Sequence, residues 1–200
     1  MPVRDTIMQR KRNPESGNAI LEFAICSLFL VPITIGIFQV GMDLKTCVQA
    51  SQISRDIGSM YAQGVDFTST SNRNIAVRLT QGLGMTLSGG NGEITLSKVY
   101  MVQPNDCTGA GIAIPSCTNV NLAVVTQRFV IGNASLQSSN FGSPASIDSS
   151  TGDVNNWLTD TSARATNFTV PLNGGEWTYI SESYFTSTAR PSGIYSRALF

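Results

Sequence analysis

The absence of histidine sets the first limit on the chemistry available to this 200-residue chain. Without an imidazole, the chain cannot build a Ser-His-Asp or Cys-His nucleophile system, an HExxH zinc site or a histidine general base. Two carboxylates, Glu176 and Glu182, are spaced to share one face of a predicted strand. The sequence indicates no apolar pocket and no partner residue that would let this pair act in general acid–base catalysis. We therefore name no catalytic residue and predict that the protein is not an enzyme.

Motifs for metal ions and cofactors are also missing, so we predict neither. No CxxC pair occurs, and the glycine-rich stretches at 82–84 and 88–92 lack the residues of phosphate-binding and dinucleotide-binding loops. Lys+Arg and Asp+Glu balance at 13 each, which leaves no basic field for a nucleic-acid partner. Five Asp and Asn side chains that could serve as oxygen ligands for calcium lie close together late in the chain. Their spacing does not match an EF-hand loop, so we interpret this segment as a solvated polar loop. The five residues are Asp148, Asp153, Asn155, Asn156 and Asp160.

The strongest signal is an uncharged apolar run over residues 23–42. As a helix rising 1.5 Å per residue, it would span about 30 Å, the thickness of a bilayer's hydrocarbon core. Basic residues precede it, so we predict a transmembrane helix with the N-terminus in the cytoplasm and residues from about 43 outside. A buried core helix fits less well because the run is long and basic residues flank it. A cleaved secretory signal also fits less well, because no small-x-small site follows. The basic residues are Arg4, Arg10, Lys11 and Arg12.

Glu22 lies at the inner edge of this run, where a carboxylate drawn into the membrane without a partner is costly. One interpretation is a solvated flank in the headgroup region. The neighbouring residues favour another. A basic stretch, Gly17, four further residues, Glu22-Phe23 and a long apolar helix form the pattern of a type IV prepilin processing site.

The same segment resembles the TadE/TadF-like minor pseudopilins of the tight-adherence (Tad, or Flp-type) pilus system. The resemblance covers residues 17–43 and implies a pilin-like α+β fold. In that fold an N-terminal transmembrane helix continues into an amphipathic helix packed on a small antiparallel β-sheet. The implied division is a basic cytoplasmic leader at 1–17, a transmembrane helix at 18–42 and an extracytoplasmic α+β domain at 43–200. The matching residues are Gly17, Glu22, Phe23, Ala24, Gly41 and Asp43.

The resemblance further implies a processing and assembly mechanism. A prepilin peptidase would cut between Gly17 and Asn18, removing the leader and creating an ammonium group at Asn18. Glu22 would then lie one helical turn from the new terminus and could neutralise the ammonium of a neighbouring subunit inside a pilus. The implied partners are the peptidase, other Tad components and a Flp-type major pilin. The implied location is the bacterial inner membrane, crossed once.

The remaining residues predict helices followed by strands. Residues 44–64 carry apolar side chains at helical spacing and end at a stop signal, Gly64, and a short helix follows at about 71–81. Strands are predicted at 93–102, 120–131 and 177–187, the first two as an antiparallel pair. Residues 132–165 read as a long irregular excursion, and the tail at 194–200 could dock back on the sheet. The helical stripe consists of Leu44, Cys47, Ala50, Ile53, Ile57, Met60 and Tyr61.

Two of the four cysteines are predicted to form a disulfide. Cys107 and Cys117 stand ten positions apart in the loop between the first two strands, where oxidation is expected outside the cytoplasm. Closing this loop would stabilise the domain by about 2–3 kcal/mol. Cys26 is read as a small apolar filler and Cys47 as a buried thiol.

The leading functional hypothesis is therefore a TadE-like pseudopilin that acts in assembly or tip function of a Tad-type adhesion pilus. The alternative is an unprocessed, single-pass anchored domain that binds or adheres outside the cell. Processing at Gly17 separates the two.

Overall fold

The structure is a computed structural model that describes residues 15–187 and 191–200. The chain divides into two compact units, Met1–Lys45 and Thr46–Phe200. Most of the predicted leader, residues 1–14, lies outside the described residues. The architecture is α+β, with a long apolar N-terminal helix and small antiparallel sheets, as predicted.

The first helix, α1, runs from Glu15 to Ala62 and includes Pro32. It ends where the sequence predicts a stop, because Gly64 takes a φ of +86°, a left-handed conformation that glycine adopts without strain. The amide of Val65 closes the end by donating to the carbonyl of Met60 at 3.0 Å. A second helix, α2 (Thr70–Leu79), follows close to its predicted position.

A small hairpin of β1 (Met85–Thr86) and β2 (Gly89–Gly90) opens the strand-forming part of the chain. Four antiparallel strands then form the main sheet of the second unit: β3 (Gly92–Met101), β4 (Ala123–Gly132), β5 (Trp177–Phe185) and β6 (Ile194–Leu199). Their spatial order is β4-β3-β5-β6. The central strands β3 and β5 pair with Lys98 opposite Tyr179 and Tyr100 opposite Trp177. The predicted docking of the tail is confirmed, since residues 194–199 form β6 at the edge of the sheet beside β5.

The two faces of this sheet are covered differently. The last turns of α1 bury an apolar stripe against one face, with Ile53 and Ile57 in the same core as Leu96 of β3. The predicted stripe starts too early, because Leu44 is exposed and burial begins at Ala50. The irregular excursion after β4 covers the opposite face, where Phe141, Val154, Ala163 and Ala165 pack with Val99 and Ile180.

Candidate functional site

The apolar half of α1 is the most conspicuous candidate for a functional surface. Nearly all of its large side chains are exposed, including Phe23 at 75% and Phe38 at 71%. Among the described residues, α1 is the one helix long and apolar enough to cross a membrane by length and composition, with a mean hydropathy of 2.3 in its most apolar window. A helix that is apolar on all sides and is left uncovered by the residues the structure describes requires an apolar environment from elsewhere. The exposed residues between positions 20 and 42 are Ile20, Leu21, Phe23, Ile25, Leu28, Phe29, Leu30, Val31, Ile33, Ile35, Ile37, Phe38, Val40 and Met42.

The hydroxyl groups of this segment are satisfied within the helix. Ser27 Oγ donates to the carbonyl of Ala24 at 2.9 Å, and Thr34 Oγ1 donates to the carbonyl of Leu30 at 2.7 Å. Such local hydrogen bonds let a hydroxyl enter an apolar medium without a partner from outside. Lipid or other apolar helices can therefore cover the segment without leaving these hydroxyl groups without a hydrogen-bond partner.

The residues predicted for processing and assembly all lie at the start of α1. The Gly17–Asn18 bond falls in the first helical turn, so a peptidase would have to unwind this turn to reach an extended backbone. Asn18 and Glu22 are four residues apart, which places them on the same side of the helix. Asn18, Glu22 and Phe23 are all exposed, so Glu22 is available to a partner from another molecule.

Cys107 and Cys117 are joined by a disulfide with a Cα–Cα distance of 6.0 Å. Cys107 lies on the short helix α3 (Pro104–Gly109), whose start is closed by the Gln103 amide donating to Asp106 Oδ2 at 2.7 Å. Both cysteines are buried beside Val102 and Leu158. The bond therefore closes a loop within the β3–β4 connection, and Leu158 of the excursion packs against it. Cys26 is exposed on α1, and Cys47 is half-buried.

A buried polar cluster, which the sequence analysis missed, lies under the excursion. Arg128 of β4 donates from Nε to Ser97 Oγ at 3.0 Å, and its two other nitrogens bind Ser139 Oγ and the carbonyls of Phe141 and Gly142. Burial lowers the pKa of Arg128, while the nearby carboxylates of Glu182 and Glu93 oppose that shift. The guanidinium therefore fastens residues 139–142 to the sheet.

Two buried carboxylates complete this cluster. Glu182 accepts hydrogen bonds from Ser139 Oγ, from the Asn140 amide at 3.0 Å and from Tyr195 Oη at 2.8 Å. Glu93, only 4% exposed, accepts from the Gln137 amide at 3.0 Å, and burial raises its pKa. Both carboxylates accept hydrogen bonds from residues 137–140 of the excursion. The cluster therefore has a structural role, because it holds the excursion on the sheet. The alternating polar residues Glu93, Thr95 and Ser97 of β3 could have indicated this buried cluster from the sequence. The same alternation is equally typical of a strand whose polar face is exposed to solvent.

The carboxylate pair considered in the sequence is not brought together. Glu176 precedes β5 and accepts from Asn173, with both the amide and Nδ2 at 2.9 Å. Glu182 is buried inside β5. The expectation that they share one face of a strand is therefore wrong, because the strand begins at Trp177 and leaves Glu176 outside it.

The acidic residues of the excursion serve its turns. Asp148 Oδ1 accepts from the Ser150 amide at 2.7 Å, and Asp160 Oδ1 accepts from the Ser162 amide at 2.9 Å. Hydrogen bonds from the hydroxyls of Ser150 and Ser162, together with those from the backbone amides, lower the pKa of both carboxyls. Within the described residues, no group of three or more acidic or cysteine side chains is placed to hold a metal ion.

Comparison of this chain with protein-family models, with curated proteins and with solved structures finds no match.

Proposed function

We propose that this protein is a TadE-like pseudopilin, inserted in the bacterial inner membrane by α1 and cut after Gly17 by a prepilin peptidase. It would act in assembly or tip function of a Tad-type adhesion pilus. The observation that carries the proposal is the uncovered apolar helix with Glu22 as the one charged residue between positions 18 and 42.

The charge of Glu22 gives this helix a specific requirement. Moving a carboxylate from water into an apolar environment costs desolvation free energy, unless a nearby positive charge offsets that cost. Cleavage after Gly17 would supply an ammonium group at Asn18 on the same side of the helix in every copy. In a packed array of such helices, Glu22 of one subunit and the terminal amine of the next would neutralise each other.

The second unit, Thr46–Phe200, is consistent with this role. Its helix-on-sheet core begins at Ala50, eight positions after Met42, the last residue of the apolar run. The disulfide between Cys107 and Cys117 suits an oxidising compartment outside the cytoplasm.

N-terminal sequencing of the full chain, expressed with a Tad-system prepilin peptidase, tests the proposal. We expect the mature protein to start at Asn18 when the peptidase is active and at Met1 or Pro2 when it is inactivated. A start at Met1 or Pro2 in both cases would favour the alternative, an unprocessed membrane-anchored binding domain.

A further inference from the structure

An aromatic groove crosses the sheet where α1 ends. Lys98 and Tyr100 of β3 face their cross-strand partners Tyr179 and Trp177 of β5. The ring centroids of Tyr100 and Trp177 are 4.2 Å apart, and Lys98 Nζ lies 4.0 Å from the Trp177 ring centroid. Trp177 remains 47% exposed. An exposed tryptophan flanked by polar groups on a folded surface is typical of a recognition site.

Two clefts lie along this groove. The larger has a volume of about 320 Å³ and is lined by Lys98, Thr126, Gln127, Asp153, Trp157 and Trp177, with Val154 at its base. The smaller has a volume of about 210 Å³ and lies on the other side of Lys98 and Gln127, with Tyr61, Asp66 and Tyr179 among its lining residues. The larger volume falls at the lower end of the roughly 300–1,000 Å³ of small-molecule pockets.

The polar groups of the groove are held in place before any ligand arrives. Gln127 accepts from Tyr61 Oη at 2.9 Å through Oε1 and donates through Nε2 to Asp153 Oδ1 at 3.0 Å. The same Nε2 donates to the carbonyl of Thr151 at 3.0 Å. Fixed side chains lose little conformational entropy on binding, which favours affinity in a shallow site.

The composition of the groove excludes several classes of ligand. A cationic ligand would be repelled by the ammonium of Lys98, which lies 4.0 Å from the Trp177 ring centroid. Nucleic acid would meet two acids, Asp66 and Asp153, against this one lysine. An added peptide strand finds β4 already occupied here, since Val154 donates to the carbonyl of Thr126 at 2.8 Å.

The groove is suited to a neutral ligand with apolar faces and many hydroxyl groups. Pyranose rings have this character, because their axial C–H groups pack on aromatic rings while their hydroxyls exchange hydrogen bonds with amides, carboxylates and ammonium groups. We propose that the groove formed by Lys98, Gln127, Asp153, Trp157, Trp177 and Tyr179 binds a neutral saccharide. This inference is independent of leader processing and of pilus assembly.

Intrinsic fluorescence offers a direct test, because both tryptophans of the chain line the larger cleft. The full chain would be purified in a detergent without a sugar headgroup and titrated with cellotriose, maltotriose and N-acetylchitotriose. We expect a saturable change in tryptophan emission with at least one of these probes. Calorimetric titration of the same probe would give the dissociation constant.

Two variants locate the binding. Trp177→Ala should weaken binding of the responding probe by about tenfold or more, as expected for a central aromatic contact, and Asp153→Asn should weaken it severalfold. Trp177→Phe, which keeps a ring, should retain part of the affinity and shows whether loss in the alanine variant comes from the site or from misfolding. Tyr184→Phe, on the face of β5 opposite to Trp177 and Tyr179, is the control and should bind like the wild type.

The proposal is overturned if none of the three probes gives a saturable response with the wild-type chain. It is also overturned if Trp177→Ala and Asp153→Asn bind the responding probe as tightly as the wild type. Neither result would bear on the start of the mature chain, so the saccharide site and the pseudopilin proposal can fail separately.

Discussion

Gly58 of α1 packs directly against Ser181 of β5, so closely that a β-carbon built on Gly58 would lie 2.8 Å from the Ser181 β-carbon. One turn earlier, Ser54 Oγ donates to the carbonyl of Ser181 at 3.0 Å. Ser183 Oγ donates in turn to the carbonyl of Ala50 at 3.3 Å. Small residues at positions 50, 54 and 58, each four apart, therefore let the helix lie on the strand at hydrogen-bonding distance.

Replacing Gly58 by leucine should force the helix away from β5. We expect the free energy of unfolding to fall by about 2 kcal/mol, the usual cost of overpacking a filled core. Thermal unfolding followed by near-ultraviolet circular dichroism measures this. Gly109→Ala is the matched control, since a β-carbon there meets nothing within 4 Å, and equal stability of the two variants would contradict the close packing.

Removing the disulfide should loosen the β3–β4 connection. Replacing both Cys107 and Cys117 by serine should lower the free energy of unfolding by about 2–3 kcal/mol, because the unfolded chain regains the entropy of an open loop. Denaturant unfolding with and without reductant measures the difference. Cys26→Ser, at an exposed position, should have no effect. Reaction of both thiols with a labelling reagent in the native, unreduced protein would argue against the bond.

Glu93 should make stability depend on pH. Burial raises the pKa of this carboxyl, so the folded state holds its proton to a higher pH than the unfolded state does. Stability therefore falls as the pH rises from the unfolded pKa of about 4.3 through the folded pKa. Glu93→Gln should be more stable than the wild type at pH 7, and the difference should disappear below about pH 4. Glu176→Gln is the control, because hydrogen bonds from Asn173 lower the pKa of Glu176 and reverse the sign.

Gly17→Val should block removal of the leader. We propose that the peptidase takes the backbone close to its own carboxylates, where a branched side chain would intrude. The expected product retains residues 1–17 and migrates as the larger precursor on a gel, with Met1 or Pro2 at its start. A mature protein that still begins at Asn18 would refute cleavage that depends on this glycine.

Glu22→Gln should separate processing from assembly. The amide keeps the shape of the carboxylate without its charge, so membrane insertion and leader cleavage should persist. A buried ammonium left without its partner costs about 3–5 kcal/mol, so pilus assembly should be lost. Counting pili by electron microscopy measures the effect, with Asn18→Gln as a control that keeps the terminal amine. Normal piliation would mean that Glu22 is only a solvated flank.

Local signals predicted the elements of the fold better than they predicted its polar interior. Gly64 marked the end of α1 because the stop depends on the conformation of one residue. Arg128 and Glu182 could not be paired in advance, since their proximity depends on an excursion that carries no regular pattern. Trp157 and Trp177 likewise share a cleft only because the excursion and β5 fold onto neighbouring parts of the sheet. The sequence did not predict that burial of the α1 stripe begins at Ala50. An apolar stripe shows which side of a helix is buried, but it does not show which of the helical turns contact the sheet.

The position of β3 between β4 and β5 has a consequence for synthesis. β4 follows β3 closely, but the other neighbour is made only after residues 102–176 have emerged. Until then, one edge of β3 carries unpaired backbone groups, and the stripe of α1 lacks the strand on which Ser54 and Gly58 rest. Unpaired edges and exposed apolar faces of this kind invite aggregation. We expect the nascent chain to depend on a holding chaperone until Phe185 has been added, and to become protease-resistant in a single late step.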